Sequence, residues 1–123
     1  MLLTPLEIFV LQHSQPRDSD RNFGNISRWR DKFFAQNLEV NPDIVERRDY
    51  TGVGLITDFN KAESLKVPFL ERTGIGCILK LNNSILIEAG ATLENGYVSW
   101  LECSAFGNDV WPSAIADISI YKQ

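Results

Sequence analysis

The sequence carries one histidine, two cysteines and one methionine in 123 residues, and each scarcity closes off chemistry. With His13 as the single imidazole, a Cys–His nucleophile pair would need it beside Cys77 or Cys103, and no spacing brings either close. There is no Gly-x-Ser-x-Gly, no His-Glu-x-x-His and no phosphate loop ending in Gly-Lys-Ser/Thr. Gly74-Ile75-Gly76 and Gly52-Val53-Gly54 lack the third glycine and the βαβ setting of a dinucleotide site, so neither reads as one. The cysteines form no Cys-x-x-Cys and are expected to be reduced, buried and small-hydrophobe-like, with a disulfide between adjacent strands as the alternative. No motif asks for a metal or an organic cofactor. No run reaches the roughly 18 uncharged apolar residues of a membrane span. Met1-Leu2-Leu3 has no basic residue before it, and Pro5 and Glu7 interrupt what a secretory signal would need. The cytoplasm is the expected compartment.

Basic residues are the other shortage, and it is local. Twelve Lys and Arg against sixteen Asp and Glu give a net charge of −4, which argues against a general nucleic-acid or anionic-membrane binder. Residues 1–48 balance to zero, with seven bases and seven acids. Between Leu81 and Tyr121 there is no Lys or Arg, while Glu88, Glu94, Glu102, Asp109 and Asp117 supply five negative charges. Hydrophobic residues at 44% and charged residues at 23% describe a folded chain, and this length buries about two thirds of the unfolded surface. One domain over 1–123 is expected, with a helical part at 1–42 and a strand-rich part at 43–123.

Thr4-Pro5-Leu6-Glu7 is a helix start on three counts: an N-cap Thr, Pro at the first helical position, and Glu three residues after the cap. Leu3, Leu6, Phe9, Val10 and His13 repeat at helical spacing, which predicts a helix over 4–13 with His13 as a half-buried member of its apolar stripe. Polar residues 14–20 end it. A second helix is expected from Asn25 or Ser27 to Asn37, with Ile26, Trp29 and Phe33 on one face. Residues 50–59 then read as a strand with Val53, Leu55, Thr57 and Phe59 on one side. The glycines on its other side suggest close approach of another element or a bulge. Residues 60–73 read as a loop with at most one helical turn. Strands follow at 77–81, 85–89, 97–106 and 114–121, joined by Asn82-Asn83, Asn95-Gly96 and Gly107-Asn108 turns. The expected fold is α+β: an antiparallel sheet of about five strands, with two N-terminal helices packed on one face. Leu6, Val10, Trp29, Phe33, Leu55, Leu79 and Ile118 are the expected core.

Carboxylates remain as candidate chemistry. Glu88 and Glu102 fall in neighbouring strands, where they form either an acid–base pair or two solvated strand residues. If Leu101, Cys103 and Ala105 face the core, then Val98, Trp100, Glu102 and Ser104 point away from it. The reverse register would bury Trp100 instead. In the first register, aromatic residues interleave with acids on the face that helices leave open, a surface suited to a basic partner. Its candidate contact residues are Glu88, Trp100, Glu102, Asp109, Trp111 and Asp117.

Residues 50–59 (Tyr-Thr-Gly-Val-Gly-Leu-Ile-Thr-Asp-Phe), and Trp100-Leu101-Glu102-Cys103-Ser104-Ala105-Phe106 followed by Trp111-Pro112, resemble motifs of small bacterial proteins. Some of these look like immunity proteins of polymorphic toxin and contact-dependent growth inhibition systems. The resemblance implies a non-enzymatic inhibitor that binds one cognate toxin domain, and an acidic strand region suits a basic nuclease. The alternatives are a small-ligand-binding or structural α+β domain and a carboxylate-based hydrolase.

Overall fold

The computed structural model describes residues 1–16, 42–68 and 70–122. Helix α1 spans Pro5–His13 and starts as its sequence dictates. The Thr4 hydroxyl accepts from the Glu7 N–H at 3.2 Å, and Glu7 Oε1 accepts from the Thr4 N–H at 2.8 Å, a reciprocal cap that satisfies donors the helix cannot. Leu6, Glu7, Val10 and Leu11 are buried, and the His13 ring lies 4.2 Å from that of Phe9. The second helix expected over 25–37, with Trp29 and Phe33, falls outside the described residues.

Among the described residues seven strands follow: β1 (Gln15–Pro16), β2 (Val45–Tyr50), β3 (Gly54–Phe59), β4 (Thr73–Leu81), β5 (Ile85–Glu94), β6 (Tyr97–Ala105) and β7 (Ile118–Lys122). They pair antiparallel throughout, in the order β1-β4-β5-β6-β3-β2. β1 and β7 share one flank of β4, at Ile75–Gly76 and at Ile78–Leu81 respectively, so seven strands fill six positions. The architecture is α+β, with the N-terminal helix packed on a six-stranded open antiparallel sheet. Alternation puts Ile75, Leu79, Ile87, Leu93 and Leu101 on the inner face, where they form the core with Leu6, Val10 and Leu11. The expected burial of Leu6, Val10, Leu55 and Leu79 is met, whereas Ile118 is half-buried near the sheet margin.

Several boundaries differ from the sequence reading, each for a local reason. Residues 50–59 are a hairpin end and not one strand: Gly52 at φ +90° turns the chain, the Thr51 N–H donates to Gly54 O, and Val53 is 49% exposed instead of facing the core. Val45–Tyr50 escaped notice as a strand because Val-Glu-Arg-Arg-Asp-Tyr is charged, which suits the outermost position it occupies. β4 begins at Thr73 and β5 runs to Glu94, both extended through small residues of low strand propensity: Gly74 and Gly76, and Gly90 and Ala91. Residues 114–117 are irregular, and β7 starts only at Ile118. The single helical turn allowed within 60–73 is the 3₁₀ turn Glu63–Leu65.

Cys77 and Cys103 are both buried, and neither forms a disulfide. Both oppose Ala89, one from each side, so they stand two strand spacings apart, about 10 Å, beyond disulfide reach. They are not on adjacent strands, which removes the crosslinked alternative. Burial, and next the neighbouring Cys77, push the Cys103 thiol far above the ordinary range. It therefore stays protonated and unreactive when folded. We expect slow labelling of both thiols in native protein and prompt labelling of both after denaturation without reductant. The unfolded thiol ionises near pH 8.5 while the folded one does not, so this group makes stability fall as pH rises past that value. Fast native labelling at neutral pH would contradict the burial.

Candidate functional site

The outer face of the sheet is set by the register of β5, β6 and β3. Glu88 opposes Ser104, Gly90 opposes Glu102, and Thr92 opposes Trp100, while Ile56 and Asp58 of β3 flank Glu102 and Trp100 from the other side. With Leu101 and Cys103 buried inward, Trp100 and Glu102 point outward, the first of the two registers considered from sequence. Val98 departs from that alternation and is 1% exposed. The pairing steps from Thr92–Trp100 to Leu93–Val98, leaving Ser99 as an extra residue; this bulge turns Val98 back to the core.

The six candidate contact residues occupy three places. Glu88, Trp100 and Glu102 share the outer face, with both carboxylates exposed and Trp100 half-buried. Asp109 is exposed on the loop after β6, its N–H donating to Phe106 O at 3.3 Å. Trp111 packs against the core on the helix side, and Asp117 is exposed just before β7. One of the five acids between Leu81 and Tyr121 is neutralised from afar, and Asp58 beside Trp100 is paired as well. Arg72 bonds Glu94 at 2.9 Å and lies 5.2 Å from the Trp100 ring centre, while Arg47 bonds Asp49 at 2.9 Å and Asp58 at 3.2 Å. A count along the sequence cannot see the long-range pairs Arg72–Glu94 and Arg47–Asp58.

Two features on the helix side had not been legible as sites. The first is a buried polar cluster around Glu7, whose side chain is fully buried. Arg48 of β2 grips it through two nitrogens, Nε to Oε2 at 2.9 Å and Nη2 to Oε1 at 2.6 Å, and also donates to Leu2 O at 2.8 Å. The Thr57 hydroxyl of β3 donates to Glu7 Oε2, and the Thr4 hydroxyl to Oε1 at 3.1 Å. The hydrogen bond to Glu7 raises the Arg48 pKa further, against the opposing effect of burial. The capping pattern Thr4-x-x-Glu7 marked the helix start, but nothing in it showed that Glu7 also meets an arginine from β2.

The second is a cleft of about 440 Å³ between the start of α1, the sheet and residues 111–118; Leu6, Tyr50, Leu55, Trp111 and Ile115 are among the residues lining it. The Asn82 side chain holds the far end of that strap: Nδ2 donates to Ala114 O at 2.8 Å, and Oδ1 accepts from the N–H groups of Ala116 at 2.7 Å and Asp117 at 3.2 Å. Asn82 and Asn83 have φ of 54° and 61°, the left-handed turn geometry that asparagine tolerates, so the turn residue doubles as the strap's anchor. The Trp111 N–H donates to Gly52 O at 3.2 Å and ties down the near end.

Among the described residues no group of three His, Cys, Asp or Glu side chains is placed to hold a metal ion, and no helix is long and apolar enough to cross a membrane. Glu88 and Glu102 stand on an open sheet face, not in the cleft. Compared with protein-family models, with curated proteins and with solved structures, the chain finds no match in any of the three.

Proposed function

We propose that this chain is an immunity-type inhibitor that binds and neutralises a cognate bacterial toxin domain in the cytoplasm, without catalysis or cofactor. The toxin is a basic nuclease, and the acidic surface occludes its active site. The observation that carries the reading is the placement of Glu88, Trp100 and Glu102 on the one sheet face away from α1. Two exposed carboxylates beside a half-buried indole combine long-range attraction for a cationic partner with an aromatic anchor. Ile56, 38% exposed and directly opposite Glu102, adds apolar area to the same surface. Asp109 extends the negative surface at the strand end, whereas Trp111 and Asp117 lie on the helix side and are secondary in this reading.

The test is co-purification with the product of the neighbouring gene, followed by a growth-protection assay. Reversing Glu88, Glu102 and Asp109 to lysine is expected to slow association about tenfold or more at low salt, with the difference shrinking as salt rises. Trp100→Ala is expected mainly to speed dissociation. Full protection by a folded triple variant would refute the acidic-face mechanism, and the lack of any toxin in the neighbouring genes or of a protein partner would refute the immunity reading.

A further inference from the structure

The geometry points to a second site: we propose that the cleft between α1 and the 111–118 strap binds an uncharged, predominantly apolar small molecule of aromatic or branched aliphatic character. Its volume, about 440 Å³, falls within the range of small-ligand sites. Leu6, Leu55, Trp111, Ile115 and Ile118 supply its apolar walls. Among the described lining residues there is no Asp, Glu, Lys, Arg or His. A charged ligand would therefore lose its hydration without gaining a counter-charge from the walls. Of the three hydroxyls among the described lining residues, that of Thr4 is already engaged, accepting from the Glu7 N–H and donating to its carboxylate. That leaves the Ser113 and Tyr50 hydroxyls to meet a polar group on the ligand.

The cleft is also preformed. One wall is the capped start of α1, which the Glu7–Arg48–Thr57 cluster ties to β2 and β3. The opposite wall is the strap, held by Gly52 at Trp111 and by Asn82 at residues 114–117. With both walls anchored, the strap does not close the cleft, and the half-buried side chains of Trp111, Ile115 and Ile118 keep apolar surface uncovered beside the core. A molecule entering would remove that surface from water without first ordering its walls, which is the condition for useful affinity in a small site. The site lies on the helix side of the sheet and is independent of the partner reading, which uses the other face.

The experiment titrates the full chain with the neutral fluorophore N-phenyl-1-naphthylamine and, in parallel, with the anionic 1-anilinonaphthalene-8-sulfonate. One saturable site is expected for the neutral probe, at least about tenfold tighter than for the anion. Amide shifts should concentrate at Leu6, Leu55 and Ile115 and leave Glu88 and Glu102 unmoved. Ser113→Phe, at the exposed rim, and Ile115→Trp, in the wall, each place bulk in the cleft and should weaken binding about tenfold or more. Folding of both variants is checked by circular dichroism and thermal midpoint, and the rim variant serves if the wall variant does not fold. Absence of a saturable site, equal affinity for the anion, or unchanged binding in a folded filled variant overturns the proposal. A concentration-dependent dimer that the neutral probe dissociates would assign the cleft to a second copy of the chain and overturn it equally.

Discussion

Replacing Glu7 with glutamine is expected to destabilise the protein by about 3–5 kcal/mol, a large share of the 5–15 kcal/mol or so that holds a domain of this size. The amide keeps the shape of the side chain but removes the charge that faces Arg48, whose side chain is only 13% exposed. Arg48 is then left partly desolvated with a neutral amide oxygen where it had a bidentate carboxylate, and the Thr57 hydroxyl also faces a weaker acceptor. Glu7→Ala should cost more, because it also removes the side-chain half of the helix cap, worth about 1 kcal/mol. The double variant Glu7→Leu with Arg48→Met should lose less than either single change at these sites, since an apolar pair of similar volume leaves no charge without its partner. Chemical denaturation of these variants measures all of this. A loss below about 1 kcal/mol for Glu7→Gln would mean that the pair behaves as a solvated surface bridge.

The second large effect is expected at Gly54, where alanine should cost about 3 kcal/mol. A Cβ built there falls well inside contact distance of the Cys103 carbonyl and close to the Ser104 Cα. Both are backbone atoms of the neighbouring strand, in a register that pairs Gly54 with Ser104, so no side chain can rotate away. β3 would have to part from β6, and with it the positions of Leu55 and Thr57. Gly52 is the matched control: nothing lies within 4 Å of its added Cβ, and its φ of +90° is the only obstacle. Gly52→Ala should therefore cost about 1–2 kcal/mol through backbone strain alone. If the two alanine variants prove equally mild, close approach of β6 is not what requires glycine at 54.

The two glycines also show how far the sequence could be read. Their alternation in 52–54 suggested close approach of another element or a bulge: Gly54 does meet the β6 backbone, whereas Gly52 turns the chain between two strands and forms no bulge. The helix start at Thr4–Glu7 was legible because capping is chemistry between residues three apart. The hairpin turns at Asn82-Asn83 and Asn95-Gly96 were legible because positive φ is a property of the residues that adopt it. Local sequence could not show strands made of charged or small residues. Val45–Tyr50 is a strand because it lies at the sheet's outer flank with β3 beside it, and Gly74, Gly76 and Gly90 are in strands because their neighbours' backbones supply the hydrogen bonds.

For the candidate site, residue type and alternation by themselves determined that Glu88, Glu102 and Trp100 belong to facing strands, and that the chain's last third is acidic. Tertiary structure alone decided which face they occupy. Period-two alternation allows two opposite registers, and packing of Leu101 and Cys103 against the helix-covered side selects one, while the bulge at Ser99 exempts Val98. It also decided that Arg72 neutralises Glu94, that Trp111 turns to the helix side, and that Glu7 is an internal ion partner as well as a helix cap. Each of these pairs residues far apart in the chain, and the energy of such a pair depends on distance and burial in space, which spacing along the sequence does not encode.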